Sequence, residues 1–446
     1  MRLTRPLRFV GAFRTDEVAC AVYSEGAGVG RIIPQAIAVP HDVGDLVHLV
    51  EWASVQRVPL TARGSASSMA NGALGPGVIV DLARFDRLGV PGHDAHTLVA
   101  GAAVTRDRIQ QAAVHARRSF PIDPSSSSFA TIGGMVATHA AGARTVKYGP
   151  LRDWIIALEC VFADGTHATL RRGDRGEDVP ALQRFLRDVA PRIHGADPTH
   201  LRHAGVRKES SGYGLDAWRE SEDAIDLIIG SEGSLAFIVG VEVRLTTLPG
   251  GTASCLAGFR DLEAAAASAV QLAAHGASAV ELLDRSFLDI AASEGDAFPL
   301  PTGLEAVLMV EAESSDEAGA RALTRDLAAR CEAGGATHVE LALSTGEETR
   351  LWHLRHAASP ILNQLAPRWQ SLQLVEDGCV PPARFAEYVR GVRVALLEAR
   401  TRGVIFGHAG DGHAHVNALV DTTEPDWRAR CEQLLFAVTA LVASLG

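Results

Sequence analysis

"PIDPSSSSFATIGGMVATHAAGARTVKYGP", residues 121–150, gathers hydroxyls, paired glycines and small side chains into one stretch. Small residues let a backbone approach a ligand closely, and backbone N–H groups in a curved loop suit an anion. The same chemistry precedes it in "TARGSASSMANGALGPG" (61–77), just after a strand-like run, and follows it in "IIGSEGSLAFIV" (228–239). Any one of these loops reads equally well as a surface turn, because glycine-rich loops are common. Three in one domain point to a large dinucleotide. None is GxGxxG and no GK[ST] follows, which excludes nicotinamide-type Rossmann and P-loop readings.

Outward from these loops, the 446 residues exceed one ordinary core and are expected to form two domains. The formal net charge of −11, with no basic stripe carrying interleaved aromatics, argues against nucleic acid as a partner. Cysteines at 20, 160, 255, 331, 379 and 431 include no CxxC pair, so neither a disulfide framework nor an iron–sulfur cluster is indicated. The opening "MRLTRPLRFVGAF" lacks the apolar core of a signal peptide, and "LLFAVTALVASLG" (434–446) falls about seven residues short of a membrane span. The expectation is a cytoplasmic protein with no transmembrane segment, either free or peripheral at the inner membrane.

Pro34 and Pro40 bracket an extended piece, Asp42 is placed to cap a helix reaching Trp52–Gln56, and "VPLTA" from Val58 reads as a strand, a β-α-β opening. "VIVDL" and "TLVAGAAV" read as further strands, "TRDRIQQAAVHA" as a helix, and Asp164-Gly165 as a hairpin turn. A Pro-Gly break near "RLTTLPGG" (244–251) marks the boundary between domains. Beyond it, strands at "VELLD", "EAVLMVEAE", "HVELAL" and "LQLVED" alternate with helices near 261–275, 315–332, 346–364 and 382–402. This is a sheet covered by helices.

The order and wording of the three glycine-rich loops resemble the FAD-linked oxidases of the vanillyl-alcohol oxidase fold, whose patterns are RGxGTSxxG, PDPxxxxxATIGGNxATNAGG and GSEGTLG. The resemblance implies an α+β protein: an N-terminal segment (1–33), a two-lobed PCMH-type FAD-binding domain (34–248) and an α+β substrate or cap domain (249–446). It implies that Arg63, Gly64, Ser65, Ala66, Ser67 and Ser68 hold the pyrophosphate. Pro124, Ser125, Thr131, Gly133, Gly134, Thr138 and Gly142 would line the rest of the cofactor, and Ile238 its adenine or ribitol end. Met135 and His139 stand where the family has Asn, and "KESSGYGL" (208–215) resembles its KNTxGYxL, with Tyr213 given no catalytic role. No His lies in 61–72, so the FAD is expected to be noncovalent.

In the second half, "LWHLRHAAS" (351–359) sits in a helical pattern, where Arg355 by itself would be a solvated charge. The wording resembles the WxLRE helix of the D-lactate, glycolate and D-2-hydroxyglutarate dehydrogenase branch, which implies that Arg355 grips a substrate carboxylate, with Ser359 assisting. His356 replaces the family's Glu, and no lysine lies near Val375, as in longer members carrying an iron–sulfur module. In "GHAGDGHAHVNALV" (407–420), strand alternation puts His413, His415 and Asn417 on one face, and the preceding loop can bring His408 alongside. Imidazoles so placed can ligate Zn²⁺, Mn²⁺ or Fe²⁺. The family form GHxGDGNLHxN makes His408 and His415 its metal or catalytic histidines and Asn417 a substrate-facing amide, and His413 replaces Asn.

The implied activity is oxidation of a small D-2-hydroxy acid to the 2-oxo acid by hydride transfer to flavin N5. The electrons would pass on to a redox protein, a quinone or a missing C-terminal module. Family members continue into a GxxxGEHG segment absent before Gly446, so a truncated chain and a genuine shorter form are both open. Two alternatives stand beside this activity: an FAD-dependent oxidase or synthase for a non-carboxylate alcohol, and a flavin-binding or metal-binding module without turnover.

Overall fold

In the computed structural model, which describes residues 3–92, 95–293, 300–356 and 369–446, Asp42 caps the helix Val43–Gln56 by accepting from the Asp45 N–H at 2.9 Å. Leu46, Leu49, Val50 and Ala53 recur at the helical period and are buried, the first three against Ala36, Ala38, Val78 and Val80. The sheet beneath holds β1 (Ala12–Arg14), β2 (Ala36–Val39), β3 (Leu60–Arg63) and β4 (Val78–Asp81) in the order β1-β2-β4-β3. β4 therefore lies between the two strands of the β-α-β opening and is parallel to both.

A second sheet contains β5 (Thr97–Gly101), β7 (Ile155–Phe162), β8 (His167–Arg171) and β9 (Ala236–Arg244), while β6 (Arg118–Ser119) pairs with β10 (Thr246–Thr247). β7 and β8 form the hairpin expected of Asp164-Gly165. Beside it lies a buried polar knot. Asp226 accepts from Arg152 at 2.9 Å, Arg172 at 2.8 Å and Ser221 at 2.7 Å. Burial alone would raise the Asp226 carboxyl, but these hydrogen bonds and the arginine charges hold it below the usual carboxylate range.

These elements belong to one compact unit, comprising the chain up to Ala141, Pro150–Arg202 and Ser210–Leu248. The other unit comprises Gly142–Gly149, His203–Glu209 and Pro249–Gly446. Two short segments of the first half thus group with the second, and acidic side chains there, of which Glu311 and Glu313 are buried, explain why. Arg144 donates to Glu311 at 2.8 and 2.6 Å, and Lys147 and Tyr148 donate to Glu313 at 2.7 and 2.5 Å. Lys208 donates to Asp377 at 3.0 Å. A buried carboxylate without such a partner is strongly destabilising.

The sheet of the second unit is built from β11 (Gly251–Phe259), β12 (Ala279–Asp284), β13 (Ala306–Ser314), β14 (Ala336–Ala342), β15 (Trp369–Cys379), β16 (Arg402–Gly407) and β17 (His413–Asp421). Its order is β14-β11-β13-β12-β16-β17-β15, with antiparallel neighbours throughout. One face packs Val280, Leu282, Ile405, Val416 and Ala418 with the helices Leu262–Ala274, Glu317–Ala333, Phe385–Glu398 and Trp427–Leu445. The opposite face packs Leu283, Phe406 and Leu419 with Leu351 and Leu354 of the helix Thr345–His356. This helix was expected over 346–364; its residues after 356, including Ser359, lie outside the described residues.

Candidate functional site

Strand alternation aims Glu281 of β12 and His413, His415 and Asn417 of β17 at the face that carries Leu283, Phe406 and Leu419. β16 runs between these strands, with Phe406 paired to His415, and leads into His408. The return from His408 into β17 depends on Gly412, whose φ is +74° and whose added Cβ would lie 2.4 Å from the Val380 carbonyl oxygen. That turn clusters the histidines: His408 and His413 stack with ring centroids 5.0 Å apart, and His415 meets them edge-on at 5.6 and 4.6 Å.

One buried carboxylate organises the rest. Glu281 accepts from His408 Nδ1 on one oxygen at 2.5 Å and from Arg355 Nε on the other at 2.5 Å. Burial alone would raise its carboxyl, but His408 and Arg355 overcome this and hold it well below the usual range. Arg355 also lies 5.3 Å over the Phe406 ring. Asp377 plays the matching part for the other histidines, 2.7 Å from His413 Nε2 and 3.3 Å from His415 Nδ1, with Lys208 at 3.0 Å on its second oxygen. Burial and Lys208 push the His413 imidazole well below its ordinary value, so it is neutral. Asp411, beside Arg207 at 3.5 Å, is pushed up to about 6 by burial.

The sequence-predicted residues Arg355, His408 and His415 come together in this cluster. Asn417 is buried on the same face, and its amide donates to Ser371 Oγ at 3.0 Å. Glu281, Asp377 and Lys208 were not anticipated. The available signal for Glu281 was a charge inside an apolar strand, "VELLD", all of which is buried. One ligand nitrogen from each of His408, His413 and His415 lies within 4.8 Å of the others. His413 Nδ1 is buried without a hydrogen-bond partner. Imidazoles braced by carboxylates, with one orphaned ring nitrogen, form a donor set that fits a divalent transition ion.

In the first unit the three glycine-rich segments converge. A Cβ on Gly64 would lie 2.4 Å from Thr131 Oγ1, one on Gly72 would lie 3.7 Å from Glu232, and one on Gly233 would lie 3.8 Å from Ala62. The Gly230 and Glu232 N–H groups donate to Val136 and Ala137 carbonyls at 3.0 and 2.8 Å. Among the described residues, the backbone N–H groups of Ser65, Ala66, Ser67 and Ser68 have no acceptor, and Ala66 adopts φ +56°. A curved loop of free donors and small side chains fits a diphosphate.

The other expected cofactor residues have varied surroundings. Arg63 is engaged by the Tyr23 and Glu25 carbonyls at 3.3 and 2.9 Å and stacks on the Tyr23 ring. Pro124 and Ser125 lie in the turn before Thr131, which caps the short helix holding Gly133, Gly134 and Thr138. Ile238 and Met135 are buried in the core of this unit. His139 takes the left-handed position after that helix, with φ +49°, a conformation Asn also tolerates. Gly142 groups with the second unit.

Comparison with known proteins agrees with both halves. Residues 34–171 match the family described as FAD binding domain, and residues 248–446 match FAD linked oxidases, C-terminal domain. Among relatives, the glycolate oxidase subunit GlcD of Bacillus subtilis is 26% identical over 93% of this chain and 79% of that protein. The D-lactate dehydrogenase of Archaeoglobus fulgidus is 27% identical over 98% of this chain and 85% of its own. The D-2-hydroxyglutarate dehydrogenase of Haemophilus influenzae is 25% identical over 93% of this chain and 43% of its own. In fold, the chain is similar to alkyldihydroxyacetonephosphate synthase, with a TM-score of 0.64 at 14% identity over 96% of this chain and 82% of that one.

The chain therefore carries an FAD binding domain followed by the C-terminal domain of FAD linked oxidases. Over more than nine-tenths of its length it is similar to proteins named as D-lactate dehydrogenase, glycolate oxidase subunit and D-2-hydroxyglutarate dehydrogenase. Among the described residues, no helix is long and apolar enough to cross a membrane.

Proposed function

We propose that this chain oxidises a small D-2-hydroxy acid, of the lactate, glycolate or 2-hydroxyglutarate class, to the corresponding 2-oxo acid. The observation that carries this reading is the pair Arg355 and His408, each 2.5 Å from one oxygen of buried Glu281 and beside two more histidines. Nε of Arg355 is spent on Glu281, while its terminal amino groups have no carboxylate partner among the described residues. Those groups bind the substrate carboxylate as paired, charge-assisted donors. Nε2 of His408, whose Nδ1 is held by Glu281, takes the proton of the substrate hydroxyl.

As that proton leaves, the C–O bond becomes a carbonyl and the Cα hydrogen departs with its electron pair. FAD, which the loop 65–68 and the segment 131–138 would hold, would supply the acceptor for that hydride, and the proton remains on the His408 imidazole until it is lost to solvent. In the alternative in which His408, His413 and His415 hold a divalent ion, Zn²⁺, Mn²⁺ or Fe²⁺, His408 Nε2 would be a ligand instead of the base, and the ion would acidify a bound hydroxyl. Reoxidation is assigned to a separate redox protein or a quinone. Anaerobic mixing of the holoprotein with a panel of D- and L-2-hydroxy acids tests the reading. Bleaching of the flavin's visible absorbance by D-enantiomers is expected, and no bleaching by any member of the panel defeats it.

A further inference from the structure

We infer that Glu281 is the positioning residue of this site, one carboxylate that sets the carboxylate-binding arginine and the proton-accepting histidine at a fixed separation. The inference rests on the hydroxy-acid reading for the roles of Arg355 and His408, but its geometry stands by itself. Every residue of β12 is buried, and two of them, Glu281 and Asp284, are acidic. Asp284 has a structural explanation, because it accepts the Phe287 N–H at 2.9 Å at the start of a helix. Glu281 receives no backbone donor among the described residues: its two oxygens go to Arg355 Nε and His408 Nδ1.

Stability is a poor reason to keep such a group, since a well-packed apolar residue in place of a buried ion pair is often neutral or better. Geometry is a good one. Two oxygens fixed in one plane bind two donors contributed by a helix and by the end of a neighbouring strand. The contact also selects a tautomer. An ionised carboxylate only accepts, so His408 carries its proton on Nδ1 and keeps the lone pair on Nε2 for substrate.

Glu281→Gln tests this. The amide offers one acceptor and one donor, so it serves either Arg355 or His408 and opposes the other. The holoprotein variant is first matched to wild type for bound flavin and thermal midpoint. Anaerobic stopped-flow reduction by the best hydroxy acid then separates the apparent Kd from the limiting rate. We expect Kd to rise or the limiting rate to fall, by about 10- to 100-fold. In cycles with Arg355→Ala and His408→Ala, the Kd effect should be non-additive with the first and the rate effect with the second. The ¹⁵N shifts of His408, assigned through His408→Asn, should move from the Nδ1-protonated pattern in the Glu281→Gln protein. A folded, flavin-loaded Glu281→Gln protein with unchanged Kd, rate and ¹⁵N shifts overturns the inference. If wild type is reduced by no hydroxy acid, that reading fails, and the ¹⁵N measurement still decides the role of Glu281.

Discussion

Arg355 and His408 lie 53 positions apart in the chain yet share one acceptor, so removing either leaves a buried charge half paired. Arg355→Ala is expected to lower kcat/KM for D-2-hydroxy acids by about 10²-fold or more, since each hydrogen bond to a charged group contributes about 1.5–3 kcal/mol. Steady-state assays with a hydroxy acid and with the matching non-carboxylate alcohol provide the check: equal losses on both would count against carboxylate recognition. His413 is the chain's own departure from the family pattern, and its unpartnered Nδ1 predicts a role in holding metal. His413→Asn should weaken Zn²⁺ or Mn²⁺ retention by about 10- to 100-fold in chelator competition, and unchanged retention would remove it as a ligand.

Residues of this kind were unevenly legible. His408, His415 and Asn417 stand in a contiguous, patterned segment. Glu281 gains its meaning from partners 74 and 127 positions away, and no local pattern encodes contacts at that range.

Among elements, β15 and β17 depend on two glycines for different reasons. At Gly412 the left-handed backbone and the nearby Val380 carbonyl both oppose a side chain. At Gly378 the obstacle is Tyr388, whose buried hydroxyl would lie 1.8 Å from an added Cβ. Gly378→Ala is therefore expected to destabilise by about 1–3 kcal/mol, as overpacked cores do, and to displace neighbouring Asp377. Chemical denaturation measures the first effect. A wild-type midpoint would mean that Tyr388 gives way freely. Helix caps and hairpins were readable because their signals are local, as at Asp42 and Asp164-Gly165. The order of the seven-stranded sheet was not, because its sites arise where β12, β16 and β17 become neighbours across the intervening helices.

For the whole molecule, acid sensitivity should come partly from Asp226. Its folded carboxyl lies below the ordinary value of about 3.9, so its contribution is complete above that value and is lost as pH falls through the folded one. Asp226→Asn should cost about 3–5 kcal/mol at neutral pH, the range for breaking a buried pair, and should flatten the acid limb of the stability curve. Denaturation midpoints from pH 7 downward measure both, and a limb as steep as wild type would assign the sensitivity elsewhere. Acid precipitation should release the flavin into the supernatant, since no histidine lies in 61–72; flavin retained in the pellet would mean a covalent link.

The short segments Gly142–Gly149 and His203–Glu209 give the second unit a constraint on its inheritance. Arg144, Lys147, Arg207 and Lys208 are encoded before the boundary at 248, yet they answer Glu311, Glu313, Asp411 and Asp377 after it. A chimera that exchanges only residues 249–446 with a relative would inherit the acids and leave their bases behind. Recombination between relatives can preserve this unit only when both short segments travel with it.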